Sequence, residues 1–187
     1  MTPQEPIVVS IPAHHTPHPS DPPDAHEFYA ALGMLSVAWG RLEGHVNGNL
    51  LTIVKFPQIA PPHKMPTKWD ERRKLWERAF SEVGVLQLHA ERAVALMKCI
   101  VDSARDRNFA AHVIWGEFVA GAPEPTMYAT ILQPRKGTIE VTNSPIPVSL
   151  SMVRDAISAA NQHNLEMEEF TVLLKSLLPP PTNASRL

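Results

Sequence analysis

The chain has 187 residues, enough for one domain with its own hydrophobic core. Lysine and arginine number 17 against 19 acidic residues, so no global field points to nucleic acid or to a membrane surface, and a nucleic-acid site has to be a local basic patch. No run of about 18 apolar residues exists to span a bilayer. The one cysteine, Cys99, gives no disulfide framework and fits a reducing, cytoplasmic setting.

Residues 1–23 form a proline-rich arm with neither the basic start nor the apolar core of a signal peptide. Its prolines deny it a stable helix or a central strand. "HHTPH" lacks cysteines or carboxylates nearby to complete a metal set, so no metal and no cofactor is expected. Residues 24–187 read as a single domain.

A long helix is predicted from about Asp24. Phe28, Leu32, Leu35, Trp39, Leu42, Val46, Leu50 and Ile53 recur at spacings of three and four, one stripe down about eight turns. Pro57 ends it. Beside the stripe runs a second pattern, Gly40, Gly44 and Gly48. Such a strip lets another backbone approach, either within the chain or across a dimer. Gly44→Leu is accordingly expected to disturb folding or assembly more than Gly121→Leu, which falls in a loop.

After the proline-rich "FPQIAPPHKMP", Thr67 is the expected N-cap of "KWDERRKLWERAFSEV". This segment offers Lys64, Lys68, Arg72, Arg73, Lys74 and Arg78, with Trp69 and Trp76 between them. It could grip an RNA backbone, with Lys68, Arg72 and Arg73 as substrate-binding candidates. The favoured alternative is an amphipathic helix, tryptophans inward, with Asp70, Glu71 and Glu77 neutralising half the charge. A third helix is predicted from Leu86 to Asp102, with Leu88, Val94, Met97, Ile100 and Val101 facing inward and Cys99 a small buried hydrophobe. "RDRNFAAHVIWGEF" either continues it or starts a short fourth helix.

"MYATILQ" and "TIEVTN" then flank "PRKG", which reads as a hairpin over about 127–143. The last helix carries Val153, Ile157, Ala160, Met167, Phe170, Leu174 and Leu177 on one broad face, and Pro179 to Pro181 stop it. The expected fold is mainly α: a helical bundle with one small β-hairpin before a C-terminal helix.

Arg107, Asn108 and His112 form R-N-x-x-x-H. On a helix Asn108 and His112 share a face, and the long side chain of Arg107 can curve back to it. The set supplies a permanent guanidinium, an orienting amide and a group that titrates near neutrality, which suits phosphate-ester chemistry. If a helix began near Asp106, its N-terminal amides would also favour a phosphate. A structural alternative pairs Arg107 with Asp102, Asp106 or Glu43 and leaves His112 as a hydrogen-bonded core residue. His45 and His89 have no partner at ligand spacing and take no role.

With "AWGRLEGHVNGNLL" in the early helix and "RNFAAHVIWGEF" after a later one, the chain over roughly 24–118 resembles the HEPN superfamily. These are helical-bundle proteins whose RNase members carry R-x(4–6)-H. It looks like the members tied to toxin–antitoxin and abortive-infection systems. The resemblance implies a metal-independent endoribonuclease in which the ribose 2′-hydroxyl attacks the adjacent phosphate. His112 would be the acid/base, Arg107 the transition-state clamp and Asn108 a positioning group. Glu43 would orient Arg107 or His112, the equal alternative being a solvent-facing glutamate at the margin of the stripe, and Arg105 is a further substrate-binding candidate. It further implies a homodimer that brings two motifs into one composite site, and an antitoxin protein as partner. A catalytically silent HEPN-like module that binds a nucleotide or protein is the alternative. A structural dimer without ligand is the third.

Overall fold

The structure, a computed structural model, describes residues 21–59, 65–135, 138–141 and 145–178, except the side chains of 105–114 and 131–144. The N-terminal arm up to residue 20, its "HHTPH", Lys64 and the closing triple proline lie outside the described residues. Four α-helices carry the fold: α1 (Ala25–Ile53), α2 (Trp69–Glu82), α3 (Ala90–His112) and α4 (Leu150–Leu177). A 3-10 turn (Gly84–His89) joins α2 to α3. The strands β1 (Val113–Phe118), β2 (Thr126–Arg135), β3 (Thr138–Val141) and β4 (Ile146–Ser149) fill the interval between α3 and α4. The chain is mainly α.

The predicted stripe of α1 is its buried face: Phe28, Leu35, Trp39, Leu42, Val46, Leu50 and Ile53 are all buried, and Leu32 packs at the edge. The broad face of α4 also holds, from Val153 through Met167, Phe170 and Leu174. These two helices are the most extensively packed pair, and they run parallel. Arg154 bonds Glu27 at 3.0 Å, Asn164 donates to the carbonyl of Ala38 at 2.9 Å, and Asn49 donates to the carbonyl of Met167 at 3.0 Å. Both numbers of each pair rise together along the axes. α3 runs the other way, since Arg92 pairs with Glu169 and Ser103 meets His163. α2 closes the remaining side. Trp76 and Phe80 meet the Phe170 ring edge-on, and the Trp76 indole donates to the carbonyl of Ala93 at 2.8 Å.

The hairpin forms as expected, with Leu132 opposite Val141 and Arg135 opposite Thr138. The sheet is larger than the sequence suggested. β4 pairs with the first half of β2, Ala129 opposite Ile146, on the edge away from β1. β3 and β4 therefore form one return arm, whose register against β2 steps by two residues between them. α4 starts straight off β4. Ser149 accepts from the Met152 amide at 3.3 Å, and the Glu124 carboxylate accepts from the Ser151 amide at 2.9 Å and its hydroxyl at 2.6 Å. Such side-chain acceptors satisfy amides that the first helical turn leaves unpaired.

"VIWGEF" is the main correction: it is strand β1, and α3 passes into it without a linking residue. Trp115 and Phe118 set their rings edge-on to Phe28, with centroids 5.6 and 5.8 Å away. Burying two aromatics on the first turn of α1 outweighs the helical pattern that precedes them. The helix after α1 starts at Trp69 with Lys68, not Thr67, at its N-cap and with no side-chain cap bond. Leu88, read as inward, is 91% exposed, and Val94 and Cys99 are also on the surface. The 3-10 turn has about three residues per turn, so the α-helical phase that placed Leu88 inside does not run through it.

Candidate functional site

α3 continues unbroken to His112. This decides between the two readings of "RDRNFAAH": it is the end of the third helix, not the start of a fourth. Asn108 and His112 sit one turn apart on one face of its last two turns, and Arg107 lies about 100° round the helix from Asn108. The side chains of Arg105, Arg107, Asn108 and His112 lie outside the described residues. The expected help from helix N-terminal amides is overturned. The motif occupies a C-terminal end, where the partial charge is negative and opposes a phosphate while favouring a cation.

The surroundings follow from the antiparallel run of α3. Its last turns approach the end of the bundle where α1 and α4 begin, beside the sheet. One turn before Arg107, the Ser103 hydroxyl lies 3.3 Å from Nε2 of His163 on α4. Burial pushes the pKa of His163 below its ordinary value, with Glu166 opposing the shift. Its Nδ1 is buried and meets no partner among the described residues. His163 is thus a titrating side chain that meets α3 one turn ahead of position 107. A lone histidine in an amphipathic helix gave no sequence signal for it.

Glu43 is half-buried at the margin of the stripe, between Trp39 and Val46. The basic segment turns out to be the amphipathic helix, with Trp76 fully buried and Trp69 edge-on to Trp39. Arg72 is not available as a surface phosphate contact. It is 8% exposed, its guanidinium sits 4.8 Å over the Trp69 ring, and its Nε donates to the carbonyl of Pro66 at 3.3 Å. Arg73 pairs with Glu77 at 2.9 Å, and Lys68 stands out in solvent 4.0 Å from Glu71.

A cleft of about 290 Å³ opens between α1 and α4, lined by Arg41, His45, Asn161, Asn164, Leu165 and Glu168. The sequence reading gave it no place, because its residues come from helices far apart in the chain. The glycine strip runs past it. Among the described residues, a Cβ at Gly40, Gly44 or Gly48 would meet nothing within 4 Å, so close packing against those residues is not the reason for the glycines. Among the described residues, no group of three or more histidine, cysteine or acidic side chains could hold a metal ion, and no helix is long and apolar enough to cross a membrane. No protein-family model, no curated protein and no solved structure matches the chain.

Proposed function

We propose that the chain is a metal-independent endoribonuclease of a bacterial defence or toxin–antitoxin system. It acts in the cytoplasm as a homodimer and is held in check by an antitoxin protein. The observation that supports this reading is the unbroken course of α3 through His112, which sets Asn108 and His112 on one face with Arg107 beside them. His112 takes the proton of the ribose 2′-hydroxyl as the oxygen attacks the adjacent phosphorus. The P–O5′ bond breaks, the leaving 5′-oxygen takes its proton from a water molecule, and a 2′,3′-cyclic phosphate remains. Arg107 meets the charge that gathers on the non-bridging oxygens. Asn108 and Glu43 position these groups, and Arg105, Lys68 and Arg73 hold the RNA backbone.

The test is cleavage of RNA by purified protein freed of any antitoxin, in the presence of EDTA. Wild type should cut. Arg107→Ala and His112→Ala should stay folded and lose cutting, the latter by about 10²–10⁴-fold in rate. Equal cutting by His112→Ala would sink the mechanism. One observation favours a second reading, a silent module that binds a nucleotide or protein: the motif stands at the helix end whose dipole opposes a phosphate. A wild type that cuts no RNA, yet is stabilised against heat by nucleotides, would make that reading the better one.

A further inference from the structure

α1 and α4 run parallel, and the bond from the Asn164 amide to the Ala38 carbonyl, at 2.9 Å, fixes which of their residues stand level. At about 1.5 Å per residue, Arg41 lies about 4.5 Å and His45 about 10 Å beyond Ala38, while Glu168 lies about 6 Å beyond Asn164. Glu168 therefore stands at a height between Arg41 and His45, on the opposite wall of the cleft of about 290 Å³ that all three line. Arg41 and Glu168 have long, exposed side chains, yet neither has an ion-pair partner among the described residues. Opposite charges at one level are separated by open volume instead of joined by a bond.

Asn164 lines the same cleft. Its Nδ2 is committed to the carbonyls of Ala38 and Ala160, at 2.9 and 3.0 Å. Its Oδ1 is buried and meets no partner among the described residues. A buried acceptor without a donor is costly, so a donor is what this part of the cleft lacks.

These charges sort the ligands by chemistry. A plain anion would suit Arg41 and His45 but be repelled by Glu168, and a plain cation would be repelled by Arg41. A metal ion would find one carboxylate and one imidazole, and no group of three metal-ligating side chains exists among the described residues. A molecule that carries both charges satisfies both walls. The volume is at the small end of the usual range of about 300–1,000 Å³ for ligand sites. Leu165, 59% exposed, stands on the lining and, with the methylene stem of Arg41, offers an apolar contact.

We propose that the cleft binds a small zwitterion, a free α-amino acid with an apolar side chain. The Arg41 guanidinium and an N–H of His45 donate to its carboxylate, its ammonium donates to the Glu168 carboxylate, and its side chain lies against Leu165. The site goes beyond the ribonuclease reading and does not rest on it. Its lining comes from α1 and α4 alone, with no residue of the R-N-x-x-x-H segment.

Isothermal titration of the full chain with L-leucine at neutral pH tests this, beside two analogues. L-Leucinamide keeps the ammonium and lacks the carboxylate, and isocaproate keeps the carboxylate and lacks the ammonium. Leucine should bind with a submillimolar to millimolar dissociation constant, and each analogue at least about tenfold more weakly, as loss of one charge-assisted contact requires. Arg41→Ala should bind leucine and leucinamide alike, because the partner of the carboxylate is gone. Glu168→Gln should bind leucine and isocaproate alike, because the partner of the ammonium is gone. Circular dichroism should show both variants folded, since both side chains are exposed. No binding of leucine at millimolar concentrations overturns the site, and binding that survives both substitutions places it elsewhere on the molecule. Equal binding of leucine and both analogues overturns the zwitterion. RNA cleavage by either variant bears on the ribonuclease reading alone.

Discussion

The Ser103 hydroxyl and Nε2 of His163 meet at 3.3 Å, tying α3 to α4 one turn ahead of Arg107. Burial is the largest influence on His163 and holds its pKa below the ordinary 6.5, against the pull of Glu166. The unfolded chain therefore binds this proton more readily than the folded one. The stability linked to His163 is present above about pH 6.5 and is lost as pH falls through that value toward the lower folded one. The melting temperature should drop between pH 7.5 and 5.5, and His163→Gln should flatten that part of the profile. A variant whose melting temperature falls as steeply as wild type would show that other groups set the dependence.

Asn49 should prove a structural hub of the α1–α4 contact. It is fully buried, donates to the carbonyl of Met167 at 3.0 Å and accepts from the Thr171 hydroxyl at 2.8 Å. Asn49→Ala removes both bonds and opens a gap in the buried seam, leaving the part-buried Thr171 hydroxyl its 2.9 Å bond to the Met167 carbonyl. The expected loss is about 1–3 kcal/mol, read as a lower urea midpoint with an unchanged slope. Thr171→Val should lose less, because it strands only the Asn49 oxygen.

The two glycines compared on sequence grounds exchange places where the monomer is concerned. Gly121 has φ of +74°, a conformation that costs a side-chain-bearing residue about 1–2 kcal/mol. Gly44 is in a helix with open space over it, where a better helix former gains up to about 1 kcal/mol. At concentrations too low for assembly, Gly121→Leu should melt below wild type and Gly44→Leu at or above it. The reverse order would mean that α1 is packed more closely at Gly44 than the structure shows.

Mixed dimers separate a composite site from two independent ones. Arg107→Ala and His112→Ala chains, each inactive, can be refolded together. With two motifs completing one site across a homodimer, as the resemblance implies, cleavage should return toward about a quarter of wild type, since about half of the randomly paired dimers are mixed. No recovery would mean that each motif works within its own chain.

Arg72→Ala should cost stability and leave RNA affinity close to wild type, since the guanidinium is folded over Trp69 and bonded to Pro66. Thermal melts alongside filter binding at two salt concentrations distinguish the outcomes. An intact fold with weakened, less salt-dependent binding would return Arg72 to the RNA-contacting set.

The stripes of α1 and α4 were legible because a 3.6-residue period survives in any helix with one buried face. The hairpin was legible from its turn and its alternating strands. β1 was not, because it follows α3 without glycine, proline or any polar break, and its strand state depends on Phe28, some 85 residues earlier in the chain. Arg72 and Leu88 were misplaced for related reasons. A cation folded over an aromatic ring looks in sequence like any exposed arginine, and a change of helical pitch leaves no mark in composition. The motif's residue types were visible at once. Its position at a helix end rather than a helix start depended on where α3 stops.

The parallel pairing of α1 with α4 also bears on how the chain reaches its fold. Asn49 and Met167 are 118 residues apart in sequence, so the principal contact of the core belongs to the slow, high-contact-order class. During synthesis α1 emerges well before α4, and the side of its stripe that α4 covers must wait for that helix to leave the ribosome. Until then the growing chain is open to aggregation through that face, and a truncation that removes α4 would leave the α4-facing side of α1, with Ala38 and Asn49, uncovered for good.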